Sequence, residues 1–275
     1  MNETKTSFEL LLFFLLTYLL SWALWIPVVL FSRGLINGPA GLFEGLGYIV
    51  PLVPMVSAFI LVLKREGKNG LKEFLKKAFQ IKLGLWWIPV ILLIPLLGFL
   101  AHLISLLIFG PTYPVSELLF QPLLILALLL FQLLIAGGLE EFGWRGYALP
   151  RIEKYMNSLL ASIILGVIWG IWHLPLFFAI GTPQHDYMPF ALFLGTDIII
   201  SVIMAWMMNN TNKSLVPALI VHSWMNVSFT LFFNEPAQMG NFVPWILGLV
   251  IMGIFTVLIV IVYKPKTLSK QEKEK

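Results

Sequence analysis

An all-α, polytopic membrane fold is predicted from three observations: the composition, the length of the apolar runs, and the placement of the basic residues between them. Hydrophobic residues occupy 59% of 275 positions and charged residues only 12%, with a mean hydropathy of +0.90. A soluble domain keeps roughly a quarter of its residues charged to solvate its surface. Several apolar runs reach or exceed the ~20 residues with which a helix crosses a bilayer. They lack strand-like alternation, and lipid offers no water to satisfy open backbone groups, so helices are the expected solution. With no cysteine in the chain, disulfides and thiolate metal sites are excluded. The net charge of +4 does not point to nucleic acid, because the positive residues sit at membrane boundaries and form no single patch.

Hydropathy places eight spans in order. The first is Phe8–Phe31, whose apolar stretch is too long for the h-region of a cleaved signal peptide and lacks a small-residue cleavage site. Leu46–Leu63 follows, short for a span. Next come Leu85–Phe109, Leu118–Glu141, Ser158–Ile180, the short Phe190–Met208, Leu215–Phe233 and Pro244–Tyr263. No internal repeat is evident. With both termini cytoplasmic, the inner segments hold 17 of the 18 Lys and Arg residues and only Arg33 falls outside, as the positive-inside rule demands. Within Gly70–Lys82, Leu71, Phe74, Leu75, Ala78 and Phe79 fall on one helical face and Lys72, Lys76 and Lys77 on the others, predicting an amphipathic helix at the inner headgroup layer. The chain therefore reads as one integral membrane domain, 1–275. It comprises N-terminal spans over 1–139 with the interfacial helix near 70–83, a motif-bearing region over 140–226, and a solvated, disordered cytoplasmic tail over 264–275 whose first lysines meet anionic lipid.

Ionisable residues inside spans cost several kcal/mol and need a reason. Glu140 and Glu141 end the fourth span, His173 lies in the fifth, Asp197 in the sixth, and His222 and Asn226 in the seventh. His222 and Asn226 are one helical turn apart on a common face, as are Glu141 and Arg145, with the acid N-terminal in the favoured order. Glu140 points about 100° away from Glu141. Adjacent acids thus receive different tasks: Glu141 pairs with Arg145, and Glu140 is free for chemistry. Gly166 and Gly170 form a small-xxx-small pair that turns His173 into the bundle. His102 and Asp197 read as structural hydrogen-bonding residues between helices, Glu9 and Glu117 as wetted acids at the interface, and His185 as a loop residue.

Glu140-Glu141-x-x-x-Arg145, Trp169-x-x-x-His173 and His222-x-x-x-Asn226, on three spans in that order, resemble the signature of the CAAX protease and bacteriocin-processing family, also called CPBP or Abi. Trp169 departs from the Phe common there, an aromatic exchange. The resemblance implies an eight-helix bundle around a cytosol-facing cavity and a glutamate-dependent intramembrane endopeptidase. By motif position, Glu140 is the base that activates water, His173 holds or polarises that water, and His222 and Asn226 stabilise the oxyanion. Glu141, Arg145 and Trp169 support them. It implies no cofactor, the alternative being Zn2+ held by Glu140, His173 and His222.

Peptide hydrolysis requires a base for water and donors aimed at the developing oxyanion, which these residue types supply. Three zinc ligands plus water are the competing arrangement, though no H-E-x-x-H helix is present. Expected partners are a peptide or lipidated-protein substrate, including prenylated ones, and membrane lipid, with no nucleic acid and an oligomeric state the sequence leaves open. A prokaryotic plasma membrane is the expected location. A non-catalytic immunity or scaffold protein and a proton-coupled transporter are the alternative readings. One difficulty accompanies the site: on straight helices His173 lies roughly 22 Å above Ser158, whereas Glu140 lies only ~13 Å from Leu149.

Overall fold

The structure, a computed structural model, describes residues 3–111 and 116–270, with side chains from Thr6 onward. All regular elements among these residues are helical. Helix α1 spans Glu3–Ser32, α2 Ala40–Ile49, and α3 Val53–Ala78, with a single 3-10 turn joining α2 to α3. Helix α4 is Trp87–Phe109 and α5 Pro122–Leu134. Beyond α5 the chain takes a 3-10 turn, Gly137–Glu140, then a π-helical stretch, Phe142–Ala148, then the short α6, Leu149–Ile152. Helix α7 covers Ser158–Trp172 and continues as a 3-10 segment, Leu174–Phe178. The remainder is α8 (Pro183–Asp186), α9 (Phe190–Asn209), α10 (Val216–Phe232), α11 (Asn234–Gln238) and α12 (Val243–Tyr263).

Seven helical segments are long and apolar enough to cross a membrane, which makes the chain an integral membrane protein. The seventh expected span is α10, whose 17 residues fall below that length. It packs against α4, α5 and α9, so neighbouring helices rather than lipid cover much of it. Helices α7 and α9 form the most extensive pair, with Gly166 at the crossing: a Cβ there would stand 2.7 Å from the Ile198 Cα. The expected small-residue contact is therefore real. Lipid-facing leucines and isoleucines, such as Leu96, Leu126 and Ile261, are exposed around the periphery.

Two ends of the bundle can be told apart by their contacts. At one end α1 meets the turn after α6 (Ser7 to Tyr155, 2.9 Å), the α9–α10 turn meets the end of α3 (Leu215 N to Ala78 O, 3.1 Å), and residues 264–268 meet the start of α7 (Ser158 N to Lys266 O, 3.1 Å). At the other, Ser32 accepts from Ile180 N at 3.0 Å and Tyr187 donates to Asn234 at 2.7 Å. The amphipathic segment lies at the first end. Gly67, with φ +69°, breaks α3 so that the chain turns there, and the apolar face of the following residues packs on the protein itself, Phe74 meeting Phe59 and Phe142.

Two sequence expectations are corrected at this end. Glu9 is not wet: it is 4% exposed and lies 3.9 Å from both Arg65 and Arg151, because α1 packs inward here. The tail from Lys264 to Lys270 is not a loose, solvated end. Leu268 is fully buried, and Asn209 and Asn210 donate to the Thr267 and Leu268 carbonyls at 2.6 and 2.8 Å. Residues 271–275 of that tail lie outside the described residues.

Glu153 anchors this clasp. It accepts from Lys213 at 2.8 Å and from Ser158 at 2.7 Å. Burial pushes its carboxyl up, but the Lys213 charge and the hydrogen bonds from Lys213, Ser158 and Asn209 outweigh this and hold it below the usual carboxylate range. A depressed folded value stabilises the fold above the unfolded carboxylate pKa and ceases to do so as pH falls through the folded value. Glu153→Gln is thus expected to lower Tm at neutral pH by roughly 3 °C. The gap to the parent should close in thermal unfolding scans run at progressively more acidic pH.

Candidate active site

The break after Leu134 resolves the mismatch in height. Helix α5 does not run straight through Glu140; its end, the 3-10 turn and the π-helical stretch redirect the chain. Glu140 is thereby brought level with α7, where Trp169 Nε1 donates to its Oε2 at 2.9 Å. π-Helical turns are uncommon and recur at functional sites.

The two adjacent acids have separate surroundings. Glu141 and Arg145 are fully buried, with Arg145 Nη1 donating to Glu141 Oε1 at 3.0 Å. The same oxygen lies 2.7 Å from His222 Nδ1. Arg145 also sits over the Trp169 ring, 4.4 Å from its centroid. Glu140, 3% exposed, lies on the wall of a cavity of about 780 Å³. His173, His222, Asn226 and Asp197 line the same cavity, whereas Glu141 and Arg145 stand behind it.

The tautomers follow from these partners. An ionised Glu141 accepts only, so His222 Nδ1 carries the proton and donates to it. His173 Nδ1 is 3.0 Å from the Trp169 carbonyl, which likewise fixes the proton on Nδ1. Both rings therefore keep Nε2 unprotonated when neutral, and His222 can donate from Nε2 only as an imidazolium. Asn226 Nδ2 spends one hydrogen on Gln132 Oε1 at 2.9 Å and retains a second.

The structure thus gathers Glu140, His173, His222 and Asn226 at one cavity and places Glu141, Arg145 and Trp169 around them. Among the described residues, no group of three His, Asp or Glu side chains stands close enough together, as placed, to hold a metal ion. His102 is absent from the cavity wall and hydrogen-bonds the Phe232 backbone, the interhelical role expected of it. Asp197, expected to be structural, stands in the wall itself, its Oδ2 3.9 Å from His173 Nδ1.

Two contributors escaped the sequence reading. Gln132 is the sole polar residue of α5, and an isolated intramembrane amide was a legible signal. Gly137 makes room for the site: a Cβ there would stand 2.4 Å from His222 Nε2 and 2.8 Å from Asn226 Nδ2. Only the Gly-Gly step ahead of the acids hinted at it.

This fold and site define a class: a polytopic helical membrane protein with a carboxylate, two imidazoles and an amide around an intramembrane cavity. A family description, type II CAAX prenyl endopeptidase Rce1-like, matches residues 121–228, which contain all seven motif residues. CAAX prenyl protease 2 of Methanococcus maripaludis is 28% identical over 230 residues, covering 79% of this chain and 82% of that protein. Lysostaphin resistance protein A of Staphylococcus haemolyticus is 24% identical over 235 residues, covering 82% of this chain and 62% of the relative. Its Staphylococcus epidermidis counterpart is 27% identical over 238 residues, covering 82% and 58%. Over residues 121–228 the chain is similar to the Rce1-like CAAX prenyl endopeptidases, and over most of its length to a CAAX prenyl protease.

Gly137→Ala tests the packing of the site. The added methyl has to displace His222 or Asn226, so catalytic output measured as peptide cleavage should fall by about 100-fold or more. Tm should fall as well, because moving His222 or Asn226 disturbs the buried contacts to Glu141 and Gln132.

Proposed function

We propose that this chain is an intramembrane endopeptidase that hydrolyses a peptide bond of a membrane-associated substrate with water activated by Glu140. The observation that carries the reading is the division of labour between adjacent acids. Glu141 is committed to Arg145 and His222, while Glu140 borders the cavity with the Trp169 indole as its hydrogen-bond donor.

In this mechanism Glu140 takes a proton from a water molecule whose oxygen attacks the scissile carbonyl carbon. His173 Nε2 accepts the water's other hydrogen and fixes its orientation. The carbonyl π electrons move onto oxygen, where the second Asn226 N–H donates to the oxyanion. His222, held against the Glu141 carboxylate, joins as a donor when protonated. Protonated Glu140 then returns its proton to the leaving nitrogen, the C–N bond breaks, and a carboxylic acid and an amine are released. Similarity to CAAX prenyl protease 2 of Methanococcus maripaludis supports a CAAX-type peptide, including a prenylated one, as the substrate to try first.

A second reading is a non-catalytic immunity or scaffold role; the lysostaphin resistance proteins among the relatives bring a resistance role into that comparison. Purified protein in detergent should cleave a fluorogenic farnesylated CAAX peptide. Glu140→Gln should lower the rate by at least about 1,000-fold with an unchanged melting curve, and a chelator should leave the parent rate intact. Activity lost on chelation and restored by zinc would replace water activation by Glu140 with metal chemistry. Absence of cleavage across a panel of prenylated and unprenylated peptides would favour the second reading.

A further inference from the structure

The cavity and the basic residues lie at opposite ends of the bundle. Seven Lys and Arg residues fall within Lys64–Lys82, and Arg151, Lys154, Lys213, Lys264, Lys266 and Lys270 surround them at the end where residues 264–268 dock on α7. The cavity mouth is lined from the other end: by Ser32 at the end of α1, Phe43 and Glu44 of α2, Gly181–Gln184, Tyr187 and Asn234. Among the described residues Arg33 is the single basic residue there, with its Nε donating to the Phe178 carbonyl at 2.7 Å. The acids Glu44, Glu117, Asp186 and Glu235 share that end.

Between the cavity floor and the basic end stands a packed aromatic layer. Phe13 meets Trp144 and Tyr147 at 5.7 and 5.1 Å between ring centroids, and Trp144 meets Trp172 at 5.6 Å. Phe13, Trp144, Tyr147 and Trp172 are each at most 1% exposed. A peptide therefore reaches Glu140 from the acidic end, through a mouth the basic loops do not border.

Lys and Arg flanking short loops are retained on the cytoplasmic side during insertion. The opposite orientation would translocate these thirteen basic residues and retain Arg33. A cytosol-facing cavity and a cytoplasmic basic rim are thus incompatible in this molecule, and the charge asymmetry decides between them. We propose that the cavity opens on the non-cytoplasmic face and that the chain acts on extracytoplasmic peptide segments, either exported or anchored in the outer leaflet. This substrate class rests on the peptidase reading above; the direction of opening does not.

The absence of native cysteine makes the direction measurable with single thiols. Gly41, beside the mouth, is exposed and has no atom within 4 Å of a built Cβ; Lys68, at the basic end, is also exposed. In intact cells a membrane-impermeant maleimide should label Gly41→Cys at once. Lys68→Cys should react at least about 10-fold more slowly until the cells are permeabilised. The reverse pattern, or equal labelling of both before permeabilisation, overturns the proposal. In a parallel arm, a membrane-impermeant fluorogenic peptide that the detergent-purified enzyme cleaves is added outside sealed cells carrying parent or Glu140→Gln protein. Cleavage by the parent alone supports the extracytoplasmic substrate class. Cleavage that begins only on permeabilisation overturns it while leaving the peptidase reading standing. Outward labelling of Gly41→Cys with no cleavage of any peptide, even in detergent, sinks the peptidase reading and leaves the direction of opening standing.

Discussion

The buried ion cluster of Arg145, Glu141 and His222 is the interaction on which the rest of the site depends. Placing an unpaired guanidinium or carboxylate among membrane helices is prohibitively costly, so each charge requires its partner before the helices can close. Glu141 Oε1 receives both Arg145 and His222, which ties the π-helical stretch to α10. The stacking of Arg145 on Trp169 extends the tie to α7. Three elements far apart in sequence are thereby fixed at one depth. Glu140, His173 and Asn226 inherit their positions from that fixation. The cluster also sets the His222 proton on Nδ1, so a group outside the cavity determines what the imidazole presents within it.

The irregular backbone of the motif region has a related cause. In a regular α-helix Glu140 and Glu141 already diverge, but the chain would pass the level of His173 without stopping. Ending α5 at Leu134 and substituting a 3-10 turn and then π-helical turns frees backbone groups that lipid cannot satisfy. They are tolerated because this segment is covered by α3 and α10 and its inner side meets the cavity. Gly137 allows the turn to press directly against His222 and Asn226, bringing the two motifs within contact distance.

Much of the architecture was legible because hydropathy and helical period are local properties. The span limits at Phe109, Ser158, Phe190 and Tyr263 coincide with helix ends, and the i, i+4 spacing of Glu141 and Arg145 became a contact. What escaped were features set by tertiary packing. Glu9 looked like an interfacial acid until α3 and α6 brought Arg65 and Arg151 beside it. The lysine-rich tail looked solvated, yet the carbonyls of Thr267 and Leu268 complete the bonding of two asparagines 58 residues upstream. Asp197 gave no hint that the α7–α9 crossing would place it beside His173, because that neighbourhood is created by Gly166 on the opposing helix.

The one-sided cavity bears on the choice between hydrolysis and transport. A carrier must expose its central site alternately to both sides, which requires elements able to part on each. Here the route from Glu140 toward the basic end runs into Trp144, Tyr147 and Phe13, and beyond them into the Glu153, Lys213 and Asn209 clasp that binds the 264–268 segment to α7 and α9. Opening that end would separate large buried aromatic surfaces and break a linked polar network together. The other end leads from the same carboxylate to a mouth shaped by short helices and turns between α1 and α2 and between α7 and α9. A rigid, sealed floor under a reachable mouth suits a reaction that admits a peptide segment and water from one side and returns two shorter peptides to it.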